Sequence, residues 1–215
     1  MDKKNFENFV SFSINQNFDR FKYYFDYKFQ IFHDLKSTVY EVVNCLILGY
    51  HTAAVTLTNN LLERLLKLSF IYKKVGTGPI PVENWNSVFE GPNEKYGSLM
   101  LSDSIIQCRR EGLITESEKE FLFKVIREML RNGFSHADAS KILKDSPDVT
   151  VGFIGSLNGK SELVKVELNQ KVIPPLQTAQ IESFVEENSS DYFDYVFRLL
   201  QNLASRLKSM EIKDK

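Results

Sequence analysis

The sequence predicts a mainly α-helical bundle with one β-hairpin at about residues 149–168 and a long C-terminal helix. Apolar residues recur three or four positions apart through most of the 215 residues, which is the period of a helix buried on one face. Two short β-branched and apolar runs flank Asn158-Gly159, a dipeptide that favours a type I′ hairpin turn. After Pro174-Pro175, the helical period resumes and continues to about residue 211.

The length of the chain fits a single domain. We expect one domain over residues 1–215, built from an N-terminal helical extension (1–34), a helical body (36–144), the β-hairpin segment (145–175) and the C-terminal helix (176–211). The predicted C-terminal helix has a possible interruption near Asn188-Ser189-Ser190.

The net charge, the cysteines and the distribution of apolar residues indicate which partners and which compartment to expect. The net charge of −1 is close to neutral, so any RNA binding must come from a local basic patch. Cys45 and Cys108 lie among apolar residues without metal-ligand spacing, which predicts buried, reduced thiols. The start of the chain does not resemble a signal peptide, and no apolar run reaches the ~20 residues of a membrane span. We therefore expect a soluble cytoplasmic protein with no membrane contact.

The N-terminal extension is rich in phenylalanine. These residues recur three or four apart, which predicts one or two helices with an aromatic face packed on the body: Phe18, Phe21, Phe25, Phe29 and Phe32. A stacking platform for nucleic acid is the alternative use of these rings.

The helical body begins with residues 36–75, where Gly49 marks a joint. From His51 onward one stripe is strongly apolar, through Ala54, Leu57, Leu61, Leu65, Leu68 and Tyr72. Asn59, Glu63 and Phe70 lie on the opposite side of this predicted helix.

The segment after this helix is predicted to be irregular. Gly76-Thr-Gly-Pro-Ile-Pro81 ends the helix, and residues 76–97 read as a loop with at most a short turn. Residues 98–111 form the next helix, which Gly112 ends. Thr115 and Glu118 then form a capping box that starts a further helix.

That further helix leads into an unusual polar group. Its apolar stripe contains Leu122, Val125, Ile126, Met129 and Leu130. Asn132 and His136 follow on the same stripe if the helix continues, and Arg131 points to another side. A buried unpaired polar group costs roughly 1–3 kcal/mol, so we expect a functional or structural reason for this pair.

The segment Arg131-Asn-Gly-Phe-Ser-His136 resembles the R-polar-x-x-x-H signature of HEPN domains, and the resemblance covers residues 36–144. It implies a HEPN-like helical bundle and a metal-independent endoribonuclease of the kind found among toxins and anti-phage defence effectors. It also implies a homodimer in which Arg131, Asn132 and His136 of both chains form a composite site.

The helix beginning at His51 is similar to the long second helix of HEPN domains, where a polar residue can steady the motif. Glu63 is our first candidate for this supporting role and Asn59 our second. The alternative for Glu63 is a solvent-facing carboxylate paired with Lys67 at i+4.

The motif chemistry suits RNA cleavage. Attack of a 2′-hydroxyl on the adjacent phosphate needs one proton removed and another delivered, and histidine can do either. Arginine stabilises the negative charge that gathers on the phosphate. A local basic track for the RNA backbone is predicted at Lys124, Arg127, Lys141 and Lys144.

Other readings stay open. The alternative hypothesis is a non-catalytic HEPN-like module that dimerises and binds RNA, an antitoxin or another protein partner. Arg131 would then pair with Glu128 or Glu63, and His136 would cap its helix. The hairpin either covers a flank of the bundle or contacts substrate. No metal or other cofactor is expected, since the histidines and cysteines lack ligand spacing.

Overall fold

The computed structural model of the chain describes residues 1–124, 126, 147–154 and 164–213. This part is mainly helical, as predicted. The helices are α1 (Lys3–Phe21), α2 (Lys36–Ile47), α3 (His51–Val75), α4 (Trp85–Tyr96), α5 (Leu101–Arg110), α6 (Glu116–Phe121) and α7 (Pro174–Lys213). Short 3₁₀ turns occupy Lys22–Tyr24, His33–Leu35 and Val82–Asn84. No helix of the described residues is long and apolar enough to cross a membrane.

The predicted β-structure is confirmed as a two-stranded antiparallel sheet. Strand β1 (Val149–Ile154) pairs with β2 (Val164–Asn169), with Val149 opposite Asn169 and Ile154 opposite Val164. The predicted Asn158-Gly159 turn lies outside the described residues.

Helix α3 is the centre of the bundle, because α2, α4, α5 and α7 all pack against it. Ala54, Leu61 and Leu65 of its predicted stripe are buried, and Leu57, Leu68 and Tyr72 are partly buried. Much of the side that the sequence placed opposite is buried as well. Phe70 stacks on Tyr96 of α4 with ring centroids 5.1 Å apart, and Asn59 contacts α7. Neighbours on several sides therefore give α3 more than one buried face, which a one-sided pattern does not anticipate.

The N-terminal aromatic face is confirmed only in part. Phe21, Phe29 and Phe32 are buried, whereas Phe18 is 43% exposed. The prediction for Phe18 is wrong because a different face of α1, the one with Ser13, Asn17 and Phe21, packs against the body. The Asn17 amide on this face donates to the Ile47 carbonyl at 3.0 Å.

The predicted loop at 76–97 is wrong for its second half, which forms α4. This helix contains Pro92, although proline inside a helix costs about 3 kcal/mol relative to alanine. Phe89 and Tyr96, two turns apart on the helix, pack against the core and supply the compensating burial. The predicted ends at Gly76 and Gly112 are confirmed; both have positive φ, +87° and +71°.

Helix α7 runs without a break, so the possible interruption near residue 188 is absent. Asn188 donates to the Phe184 carbonyl one turn back at 2.8 Å, and the buried Ser189 hydroxyl hydrogen-bonds to His51 Nδ1 at 2.8 Å. The helix therefore continues although the Asn188 amide bonds back to its own backbone, and the Ser189 hydroxyl is engaged by α3 instead.

Both cysteines are free, as predicted. Cys108 is fully buried and Cys45 is half-buried.

Candidate functional site

Helix α6, which precedes the Arg131–His136 motif in the chain, has an N-terminus that is stabilised both by a capping box and by an ion pair with α7. The predicted capping box is present: the Glu118 amide donates to Thr115 Oγ1 at 3.2 Å, and the Thr115 amide donates to Glu118 Oε2 at 2.7 Å. Arg206 of α7 donates to both oxygens of the same carboxylate, at 2.7 and 3.0 Å. The start of α6 is therefore tied to α7 by a bidentate ion pair.

This ion pair determines the charge state of Glu118. Partial burial raises the pKa of the carboxyl, but the hydrogen bonds from Arg206 and Thr115 outweigh burial and bring the pKa below its ordinary value. Glu118 is thus a carboxylate at neutral pH, and it holds the guanidinium of Arg206 close to the Leu113 carbonyl, which also accepts from it at 2.8 Å.

Beyond Phe121 the helix changes geometry. Residues 122–124 have π-helical rather than α-helical hydrogen bonding. Leu122 and Ile126 are buried, as the predicted apolar stripe requires. A π turn has more residues per turn than an α-helix, so ideal α-helical spacing does not hold across residues 122–124.

Much of the predicted site falls beyond this point. The predicted catalytic residues Arg131, Asn132 and His136 lie outside the described residues. The same holds for the stripe residues Val125, Met129 and Leu130 and for Arg127, Lys141 and Lys144 of the predicted RNA track. Lys124, the remaining member of the track, is described and exposed.

The two supporting candidates lie one helical turn apart on α3, facing α7. Asn59 is 6% exposed, and its Oδ1 accepts from the Tyr192 hydroxyl at 2.7 Å. Burial raises the pKa of Tyr192, and the negative charge of Glu63 raises it further, so the phenol stays protonated and donates. The influence on Tyr192 indicates that the half-buried Glu63 carboxylate lies near this hydrogen bond.

A second tyrosine of α7, Tyr195, adds another buried hydroxyl group to the interior. The Tyr195 ring contacts Phe121 with centroids 4.5 Å apart, and its hydroxyl is buried without a hydrogen-bond partner among the described residues. Burial raises the pKa of Tyr195, and the nearby Glu118 raises it further. A buried hydroxyl without a partner costs roughly 1–3 kcal/mol, so its position calls for a reason beyond packing.

We define the polar seam as Asn59, Glu63, Glu118, Tyr192, Tyr195 and Arg206. Asn59, Glu63 and Glu118 were predicted from the sequence, whereas the two tyrosines and Arg206 were not. The available signal was chemical: two phenols three residues apart in an otherwise leucine-rich stripe bring two hydroxyls into the interior. The seam offers two protonated phenols beside two carboxylates, an arrangement that orients other polar groups by hydrogen bonds.

Among the described residues, no group of three or more His, Cys, Asp or Glu side chains is arranged to hold a metal ion. No protein-family model matches the chain, and neither a curated protein nor a solved structure matches it.

Proposed function

We propose that the chain is a HEPN-type endoribonuclease that cleaves RNA without a metal ion, by attack of the 2′-hydroxyl on the adjacent phosphate. The observation that carries the proposal is the sequence Arg131-Asn132-Gly-Phe-Ser-His136, which follows the capped helix α6 in the chain. In this proposal His136 transfers the proton, Arg131 stabilises the phosphate charge, and Asn132 orients His136 or hydrogen-bonds the phosphate.

The polar seam supports the proposal because partly buried carboxylates and buried phenols are groups that orient catalytic side chains by hydrogen bonds. Glu63 carries a negative charge close to Tyr192, on the helix that packs against α7. A carboxylate in that setting suits a role in orienting an imidazole or a guanidinium. We assign this role to Glu63, and we assign to Asn59 the role of holding Tyr192 in place.

We further propose that two chains form the complete site. Arg131 and His136 are five residues apart, so an ideal helix would separate them by about 140° and one helix could not easily present both to one phosphate. A two-fold axis can bring Arg131 of one chain beside His136 of the other. Lys124, Arg127, Lys141 and Lys144 would then bind the RNA backbone on either side.

The test is cleavage of total RNA by the purified protein in EDTA. We expect cleavage by the wild type, loss of cleavage in Arg131→Ala, and retention in Arg110→Ala, which removes an exposed arginine at the end of α5. Intact RNA with the wild type, or equal cleavage by both variants, would reject the proposal; the second result would reveal a contaminating nuclease.

A second candidate function is a non-catalytic HEPN-like module that dimerises and binds a partner or RNA. The observation that favours it is the exposure of phenylalanine along α1, where Phe6, Phe9, Phe12 and Phe18 are 38–64% exposed. Exposed aromatic rings in such numbers on one helix are typical of a binding surface. Intact RNA in the cleavage assay, together with a shifted RNA band in a native gel, would favour this candidate.

A further inference from the structure

A cleft of about 780 Å³ lies on the side of the bundle where α3 ends and α4 begins. Its walls come from the 3₁₀ turn at His33–Leu35, the last turns of α3, the loop at 76–80 and one face of α4. The volume falls within the ~300–1,000 Å³ range of small-molecule sites. Of the described residues assigned to the proposed nuclease, Asn59, Glu63 and Lys124, none lines this cleft.

Part of the lining is aromatic. Tyr72, Trp85 and Phe89 contribute their rings, and Leu68 and Ile71 add aliphatic surface. The Trp85 Nε1–H donates to the Ile80 carbonyl at 3.0 Å, which fixes the indole while leaving the residue 50% exposed. Three rings around one volume attract a cation, because the face of each ring carries negative electrostatic potential.

A single carboxylate completes the lining. Asp34 is exposed, and its Oδ2 accepts a hydrogen bond from the Tyr72 hydroxyl. Burial and this hydrogen bond raise the pKa of Tyr72, so the phenol remains a donor at neutral pH and holds the carboxylate in place.

The charged group of the cleft is negative. Among the described residues, Asp34 is the only acidic one that lines it and no lysine or arginine does, while His33 adds an imidazole beside Asp34. The Lys208 ammonium hydrogen-bonds to the amide oxygen of Gln30, another lining residue. That ammonium is exposed and screened by solvent, and among the described residues Asp34 has no ion pair with a lysine or arginine.

We propose that this cleft binds a small organic cation, an alkylammonium whose apolar part packs against Tyr72, Trp85 and Phe89 while its charge faces Asp34. Neutral apolar molecules would gain the ring contacts but not the attraction to the carboxylate. Anions, including nucleotides, would be repelled by it. The cleft is thus expected to select by charge among ligands of similar shape.

Trp85 is the only tryptophan of the chain, so its fluorescence reports directly on the cleft. The experiment titrates the full-length protein with choline and, in parallel, with 3,3-dimethyl-1-butanol, the uncharged carbon isostere of choline. We expect choline to change Trp85 emission in a saturable way and the isostere to bind at least about tenfold more weakly.

Variants then separate the charge from the rings. Asp34→Asn should weaken choline binding by about tenfold, whereas Tyr72→Phe keeps the ring and should weaken it by a smaller factor. Asp103→Asn removes an exposed carboxylate on α5 outside the cleft and should leave binding unchanged. Thermal melting of each variant verifies that the fold is retained, and Asp34→Asn, at an exposed position, is expected to fold.

Equal binding of choline and its isostere would overturn the proposal, as would choline binding that Asp34→Asn leaves unchanged. No saturable change of Trp85 emission with either choline or tetrabutylammonium would also overturn it. A lysine-containing peptide that binds at least ten times more tightly than choline would assign the cleft to protein recognition and reject the small-molecule proposal. RNA cleavage should not change in any of these variants. A failure of the cleft proposal can therefore be distinguished from a failure of the nuclease proposal.

Discussion

The Tyr192 hydroxyl donates to Asn59 Oδ1 at 2.7 Å in the interior of the bundle, and the two residues are only 3% and 6% exposed. This bond joins α3 to α7 across 133 positions of sequence. A buried pair of this kind adds specificity to a mostly apolar interface, because both groups are satisfied at only one relative position and rotation of the two helices.

Removing one partner of this bond should destabilise the fold. Tyr192→Phe leaves the Asn59 amide buried without its donor, which should lower the free energy of unfolding by about 1–3 kcal/mol. We expect a decrease in melting temperature of roughly 2–10 °C for a chain of this size. Tyr50→Phe, at an exposed tyrosine, is the matched control and should melt within about a degree of the wild type.

The double variant Asn59→Leu/Tyr192→Phe tests the coupling between the two side chains. Replacing both polar partners by apolar groups should recover part of the loss, giving a coupling energy of at least about 0.5 kcal/mol. Strict additivity of the two single changes would contradict a direct hydrogen bond.

The Glu118–Arg206 pair predicts a stability that depends on pH. The pKa of Glu118 is lowered in the folded state, so the carboxylate contributes stability that is fully present above its ordinary unfolded value of 4.5 and is lost as pH falls through the folded value. At neutral pH, Glu118→Gln should therefore lower the free energy of unfolding by about 1–3 kcal/mol.

The measurement is urea unfolding of the wild type and Glu118→Gln from neutral to acidic pH. The difference between them should shrink as the pH decreases below 4.5. Glu120→Gln, at an exposed glutamate of the same helix, should show little difference at any pH. If the difference in the free energy of unfolding between the wild type and Glu118→Gln is the same at acidic pH as at neutral pH, packing rather than charge explains the loss.

The two thiols should differ in reactivity. Burial raises the pKa of Cys108, and it also raises the pKa of the half-buried Cys45. Because the thiolate is the reactive form, native protein should react slowly with iodoacetamide at neutral pH, and Cys45 should be labelled before Cys108. Mass spectrometry after timed quenching resolves the order, with urea-unfolded protein as the fast reference. Prompt labelling of Cys108 in the native state would mean that the α3–α5 contact opens readily.

The composite site predicts complementation between inactive chains. His136→Ala should lose about 10²–10⁴-fold in cleavage rate, and Arg131→Ala a loss of similar order. A mixture of the two variants should regain part of the activity, because a mixed dimer restores one complete Arg131–His136 pairing. Cleavage of a fluorescent RNA by the mixture, compared with each variant alone, provides the measurement.

Two controls make this mixture informative. Subunit exchange is verified by native mass spectrometry, and the melting temperature of each variant should stay close to that of the wild type. An inactive mixture despite exchange would reject the two-chain site. If the single variants unfold, Arg131 and His136 have a structural role instead of a catalytic one.

Local sequence signals were sufficient for features that a few neighbouring residues create. Gly76 and Gly112 end helices because positive φ is inexpensive for glycine, and Thr115 with Glu118 caps a helix within four residues. The antiparallel pairing of residues 149–154 with 164–169 likewise follows from alternating strands around a turn dipeptide.

Long-range packing determined the structure at the positions where local sequence signals predicted something different. Local propensity disfavours a helix through Gly91-Pro92, yet Phe89 and Tyr96 bury enough surface for α4 to form. Phe18 belongs to a regular aromatic pattern but is exposed, because the rotation of α1 about its axis is set by contacts such as Asn17 to Ile47.

For the candidate site, the sequence by itself determined the Arg131-Asn132-x-x-x-His136 pattern, the helix start before it and the two polar residues of α3. Only the tertiary structure revealed that Asn59 is bonded to Tyr192, that Glu118 is held by Arg206, and that Asp34 meets Tyr72 in an aromatic cleft. The physical reason is the range of the interactions. Caps and turns depend on residues a few positions apart, whereas each of these three contacts joins segments that come together only when the helices pack.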